Sequence, residues 1–144
     1  MNKHIRRGLP LLVSVAVIAA AALLALSLLG GKTGGVHREI GAGEQYTRMD
    51  IRHAMSVVEW RFRFGFRGCR LLELTYDEEF SAARGAEWAA QYGEEEAVVL
   101  SSSFEVDSSG GNGSLNPNST YRNWQWILTR SGNGFWKLQT CGYG

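Results

Sequence analysis

Hydrophobic and polar positions alternate along this chain in two different ways, and the boundary between them falls near residue 30. From Leu9 to Leu29 the sequence LPLLVSVAVIAAAALLALSLL carries no charge and no polar face. At about 1.5 Å per residue, such a run is long enough to cross a hydrocarbon layer roughly 30 Å thick. Pro10 stands near its start, where a helix tolerates a missing amide. The pattern therefore predicts a transmembrane helix over 9–29, with the membrane as partner. Lys3, Arg6 and Arg7 precede the apolar run and keep that end cytoplasmic, so the rest of the chain is expected outside a cell membrane crossed once. Ala25 and Ser27 also supply the small-residue spacing of a signal peptidase site, and cleavage after Ser27 would make the remainder a secreted protein.

Residues 30–45, GGKTGGVHREIGAGEQ, contain six glycines and no aromatic residue, the composition of a flexible stalk. From residue 46 onward the periodicity is that of a folded α+β domain. Thr47 and Asp50 have the spacing of a capping box. Behind them Ile51, Ala54, Met55, Val58 and Phe62 recur on one helical face, with Arg48, Arg52, Glu59 and Arg63 on another side. The segment WRFRFGFR also alternates with the period of a strand, but three preceding helical turns propagate cheaply. A helix to about Phe66, stopped by Gly68, is the prediction.

Four strands follow. CRLLELTY is the first, and it leads into DEEFSAARGAEWAAQYG, whose acidic start and terminal glycine mark one irregular helix or two short turns. EAVVLSSSFEVD is the second strand, with Val98, Leu100, Ser102, Phe104 and Val106 on one face. Turn residues fill 108–120. A third strand over 121–130 would put Trp124, Trp126 and Leu128 on the core face and Tyr121, Asn123, Gln125 and Ile127 on the other. A fourth covers 135–140 after the hairpin loop SGNG. The expected fold is α+β, an N-terminal transmembrane helix plus a curved antiparallel four-stranded sheet packed on a long helix in a cone-like arrangement.

Charge changes little in this picture. Without the three basic residues of the N-terminal flank, 12 Lys and Arg face 14 Asp and Glu, a net charge of −2 that steers nothing toward nucleic acid. Cys69 and Cys141 are either a disulfide or two buried packing thiols. No cofactor motif is present, and no metal-ligand spacing stands out. Asp107, Ser109, Gly111 and Asn112 follow a calcium loop only loosely, with a single carboxylate and no closing Glu. His53 lies beside the apolar helix face rather than on it, which fits a solvated or packed side chain better than a catalytic one. Asp77, at a strand end beside Tyr76, is the candidate acid or base, with Tyr76 as hydrogen-bond donor; capping of the next helix is the structural explanation for the same residue. Trp60, Trp88, Trp124 and Trp126 are the candidate ligand-binding aromatics, against simple core filling.

One resemblance rests on particular residues. A helix ending FRGC, a strand running into TYDEE, a helical piece ending QYG, the strand and loop VVLSSSFEVDSSGGNGSLNPNSTY and the segment NWQWIL together resemble a family of small secreted or membrane-anchored proteins of Gram-positive, clostridia-like bacteria. That family is similar to the nuclear-transport-factor-2-like (cystatin-like) superfamily, which implies a curved sheet around a long helix with a pocket at the open end of the cone. The similarity covers about residues 46 to 143 and brings no catalytic residue to carry over. The expectation is thus a membrane-anchored extracytoplasmic module, non-catalytic, binding a small molecule, a wall component or a protein. An isomerase- or hydrolase-like enzyme using an acidic residue at the cone mouth is the alternative, and a structural or interaction protein without a cavity is the third.

Overall fold

Thr47 starts the long helix as its spacing predicts. In the computed structural model, which describes residues 3–143 without the side chains of residues 3–9, 26 and 27, α2 (Arg48–Gly65) opens on a complete capping box. The Thr47 hydroxyl accepts from Asp50 N, and the Asp50 carboxylate accepts from Thr47 N. Ile51, Ala54, Met55, Val58 and Phe62 are all fully buried. The helix ends at Phe66, whose N–H donates to the Phe62 carbonyl, two residues before Gly68.

The first element, α1 (Lys3–Leu29), precedes it and corrects an expectation. Among the described residues no helix is long and apolar enough to cross a membrane. The predicted transmembrane helix over 9–29 and the single-pass cell-membrane localisation are overturned on that ground. The basic flank of Lys3, Arg6 and Arg7 and the cleavage position at Ser27 lie outside the described side chains.

The sheet has five strands where four were expected, and they run in the order β1-β2-β3-β4-β5. The additional strand is β1 (His37–Ile40), which pairs parallel to β2 (Cys69–Tyr76). It comes from the segment read as a flexible stalk. That segment is fastened throughout: Gly31 N donates to the Arg63 carbonyl, Lys32 N to the Cys69 carbonyl, and Leu71 N to the Lys32 carbonyl. Arg38 holds Glu59 of α2 through two hydrogen bonds of 2.5 and 2.7 Å. β2, β3 (Glu96–Val106), β4 (Thr120–Arg130) and β5 (Lys137–Gly142) form an antiparallel meander.

α3 (Glu78–Tyr92) is one helix, capped by the Asp77 carboxylate on Phe80 N and closed by Gly93 in the left-handed region. β2 pairs only with the second half of β3, and α3 lies against the first half. There Ser81 Oγ accepts from Val99 N at 3.0 Å, taking the place of a strand partner. A Cβ on Gly85 would sit 2.9 Å from the Ala97 carbonyl, so the glycine that weakens the helix is what lets it approach the strand. Between β3 and β4, α4 (Gly110–Gly113) is a single turn in which Gly110, Gly111, Asn112 and Gly113 all have positive φ. Glycine and asparagine are the residues that adopt this backbone at little cost.

The core lies between α2 and the inner sheet face, where Leu71, Leu74, Val98, Leu100, Phe104, Trp126 and Leu128 meet the α2 stripe. Trp126 is fully buried and its indole N–H donates to Ser102 Oγ at 2.8 Å. Tyr121 departs from simple alternation: it stacks on Phe104 at 5.1 Å and meets Trp124 edge-on, so it shares the core face rather than opposing it. Asn123 with φ 56 and the register shift between Ser102 and Phe104 form a bulge that reverses the facing.

Candidate functional site

The space between α2 and the sheet, where the resemblance implies a pocket, is filled by rings. Phe62 stacks on Phe66 at 4.8 Å, and Phe66 meets Phe104, Trp126 and Trp124 at 5.6, 5.2 and 6.2 Å. Tyr143 closes on Tyr121 and Trp124 from beyond β5. Edge-to-face and offset contacts at these separations are close packing, without room for a ligand.

The candidate catalytic pair does not form a site. Asp77 is an exposed helix cap, engaged with Phe80 N. Tyr76 points the opposite way and is buried, with its hydroxyl unpartnered; burial, aided by Glu78, pushes it up to about 12, so it stays a neutral phenol. The four tryptophan candidates do not converge either. Trp126 is core, and Trp124 packs against it with its N–H near the Cys141 thiol. Trp88 stacks on Tyr92 of α3, and Trp60 is 65% exposed on the far side of α2. Cys69 and Cys141 are both free. They stand on β2 and β5 with two strands between them; at about 4.8 Å per strand that separation is roughly twice the Cα distance a disulfide allows. Burial pushes the Cys69 thiol up to about 11, which makes it unreactive at neutral pH.

What the structure does assemble is a second apolar stripe on α2. Met49, His53, Trp60 and Phe64 recur at i, i+4, i+11 and i+15, on the side of the helix away from the core, with Val57 at their flank. Met49 is 74% exposed, and the Trp60 and Phe64 rings touch at 4.4 Å. The His53 ring meets Phe135, itself 80% exposed on the β4–β5 connection, and extends the patch beyond the helix. Beside the stripe, Arg48, Arg52 and Ser56 face Arg38 and Ile40 across a cleft of about 510 Å³. Arg38 is neutralised by Glu59, but among the described residues Arg48 and Arg52 are in no ion pair. The cleft therefore carries net positive charge next to exposed rings. Sequence reasoning placed Arg48, Arg52, Glu59 and Arg63 away from the core and singled out Trp60, without joining it to Met49, His53 and Phe64; the same 3.6-residue periodicity that found the core stripe also marks the second one. No protein family, curated protein or solved structure matches this chain.

Proposed function

We propose that the chain is a non-catalytic protein-binding module whose outer α2 face docks an amphipathic helix carrying apolar anchors beside acidic side chains. The observation that supports this reading most directly is the combination of exposed Trp60, seated on half-buried Phe64, with Arg48 and Arg52, which are in no ion pair among the described residues. Tryptophan and arginine are the side chains that dominate binding at protein interfaces. The stripe from Met49 to Phe64 extends about 22 Å, the length of four helical turns and enough to seat a partner helix. Its basic flank disfavours pairing with a second copy of itself, since like charges would face each other. The wedge beneath α2, where the resemblance would place a pocket, is filled by rings, and Asp77 is engaged as a helix cap; neither observation favours the small-molecule or the enzymatic reading.

The test uses two synthetic helices with leucine and tryptophan at heptad positions, one flanked by glutamate and one by lysine. Fluorescence anisotropy should show the glutamate peptide binding the full-length chain and the lysine peptide failing to bind. Trp60→Ala and Arg52→Glu should each weaken binding at least about tenfold, a loss near 1.4 kcal/mol. Equal binding of both peptides, or a Trp60→Ala chain that binds undiminished, would contradict the reading. So would a dimer in light scattering that Trp60→Ala abolishes.

A further inference from the structure

Arg48, Arg52 and Ser56 follow one another at every fourth residue of α2 and form one wall of the cleft beside the exposed stripe. Alternation along β1 turns Arg38 and Ile40 toward the same cleft and His37 and Glu39 to the other face of the strand. Three guanidinium groups from two elements therefore border a space of about 510 Å³. The acids of α2 leave two of them unbalanced. Glu59 accepts two hydrogen bonds from Arg38, and Asp50 is engaged by Thr47 and by Arg130. Arg48 and Arg52 are in no ion pair among the described residues.

Like charges four residues apart on a helix destabilise it, and an anion in the cleft would reverse that effect. The charge of this anion follows from the groups that meet there: three arginines less one glutamate leave +2. A single carboxylate balances half of that, whereas a phosphate monoester carries about −1.5 to −2 at pH 7 and presents three strong acceptor oxygens. Each guanidinium can hold such a group through two parallel hydrogen bonds. Ser56 adds no donor, because its hydroxyl donates to the Arg52 carbonyl at 2.9 Å. Recognition of the anion falls to the two arginines.

We infer that this cleft takes the phosphate of a phosphorylated serine or threonine on the partner helix, so that phosphorylation of the partner strengthens its docking. The inference rests on the docking proposed for the outer α2 face and names the anion that its basic flank selects. Arg52 and Trp60 stand eight residues apart, about 12 Å along the helix. The phosphorylated residue therefore lies about two turns from the partner's apolar anchor at Trp60.

The test compares versions of the glutamate-flanked peptide that carry serine, glutamate or phosphoserine at one position two turns from the tryptophan, before it in one set and after it in another. Anisotropy at constant ionic strength should show a phosphoserine peptide binding the full-length chain at least about tenfold tighter than its serine twin, and tighter than its glutamate twin. Arg48→Gln and Arg52→Gln, both at exposed positions, should each reduce that ratio. Trp60→Ala should weaken every peptide and leave the ratio unchanged. The ratio should also fall from about pH 7.5 to about pH 5.5, as the phosphate takes up its second proton near pH 6. Phosphoserine peptides that bind no tighter than their glutamate twins, or a ratio unchanged in both arginine variants, would overturn the inference and leave the docking itself intact. Inorganic phosphate, titrated against the side-chain N–H resonances of Arg48 and Arg52, separates the two readings. Saturable shifts in a chain that binds none of the peptides would keep the cleft as a phosphate site and overturn the docking; no shifts, with serine and phosphoserine peptides bound equally, would overturn the phosphate site alone.

Discussion

Asp50 joins three parts of the fold. Its carboxylate accepts from Thr47, completing the helix cap, and from Arg130 of β4 at 3.0 Å, while its backbone carbonyl accepts from the Trp136 indole at 3.1 Å. The Thr47 hydroxyl, with the Arg130 guanidinium, holds the Asp50 carboxyl below the usual carboxylate range. Glu94 is held low by Lys137 and Asp107 by Ser109 in the same way. A carboxyl depressed in the folded state contributes stability above its unfolded value, near 4, and that contribution disappears as pH falls through the folded value. Chemical denaturation should accordingly show stability flat near pH 6 and declining below about pH 4, with Asp50→Asn shallowing the decline. Thr47→Ala, which removes one arm of the cap, should cost about 1 kcal/mol at pH 7. The two thiols make a separate prediction at this scale: titration in denaturant without reductant should count both Cys69 and Cys141. A count of zero would contradict the structure.

Whether an element was legible in the sequence depended on where its partners sit. The helix α2 and strands β2 and β3 were readable because caps and periodicity are local signals, and Thr47, the 51–62 stripe and the 98–106 alternation all lie within single elements. β1 was not. Its four residues HREI are an edge strand among glycines, fixed by parallel pairing to residues some 36 positions away. Tyr121 was misplaced because one left-handed residue, Asn123, shifts the facing of everything before it. At the candidate site, Trp60 was singled out from sequence, but its association with Arg48, Arg52 and Phe135 depends on tertiary placement. Gly85 shows the same conflict between local and tertiary demands. Alanine would gain about 1 kcal/mol of helix propensity, but its Cβ would press on the Ala97 carbonyl of β3 at a cost of about 1 to 3 kcal/mol. Thermal unfolding of Gly85→Ala should therefore show a net loss. Phe62→Ala, at the centre of the ring cluster, should cost about 3 to 5 kcal/mol, whereas Met49→Ala on the exposed outer face should stay within about 0.5 kcal/mol.

At the scale of the molecule, one helix serves two surfaces. Its inner stripe fills the wedge against the sheet with aromatic rings and leaves no cavity there for chemistry. Its outer stripe leaves Met49, Trp60 and the adjoining Phe135 in water on the helix that carries Arg48 and Arg52, in no ion pair among the described residues, an arrangement that stability alone does not require. The described apolar side chains of α1 are exposed as well, from Pro10 to Ala25, so the chain presents apolar surface at two places. Hydroxyl-radical footprinting read by mass spectrometry tests this two-sided account most directly, because it compares the rings of the same helix and sheet in one native sample. The account predicts rapid oxidation of Trp60 and Phe135 with protection of Phe62, Trp126 and Trp136; oxidation of Trp126 and Phe62 as fast as that of Trp60 would contradict it.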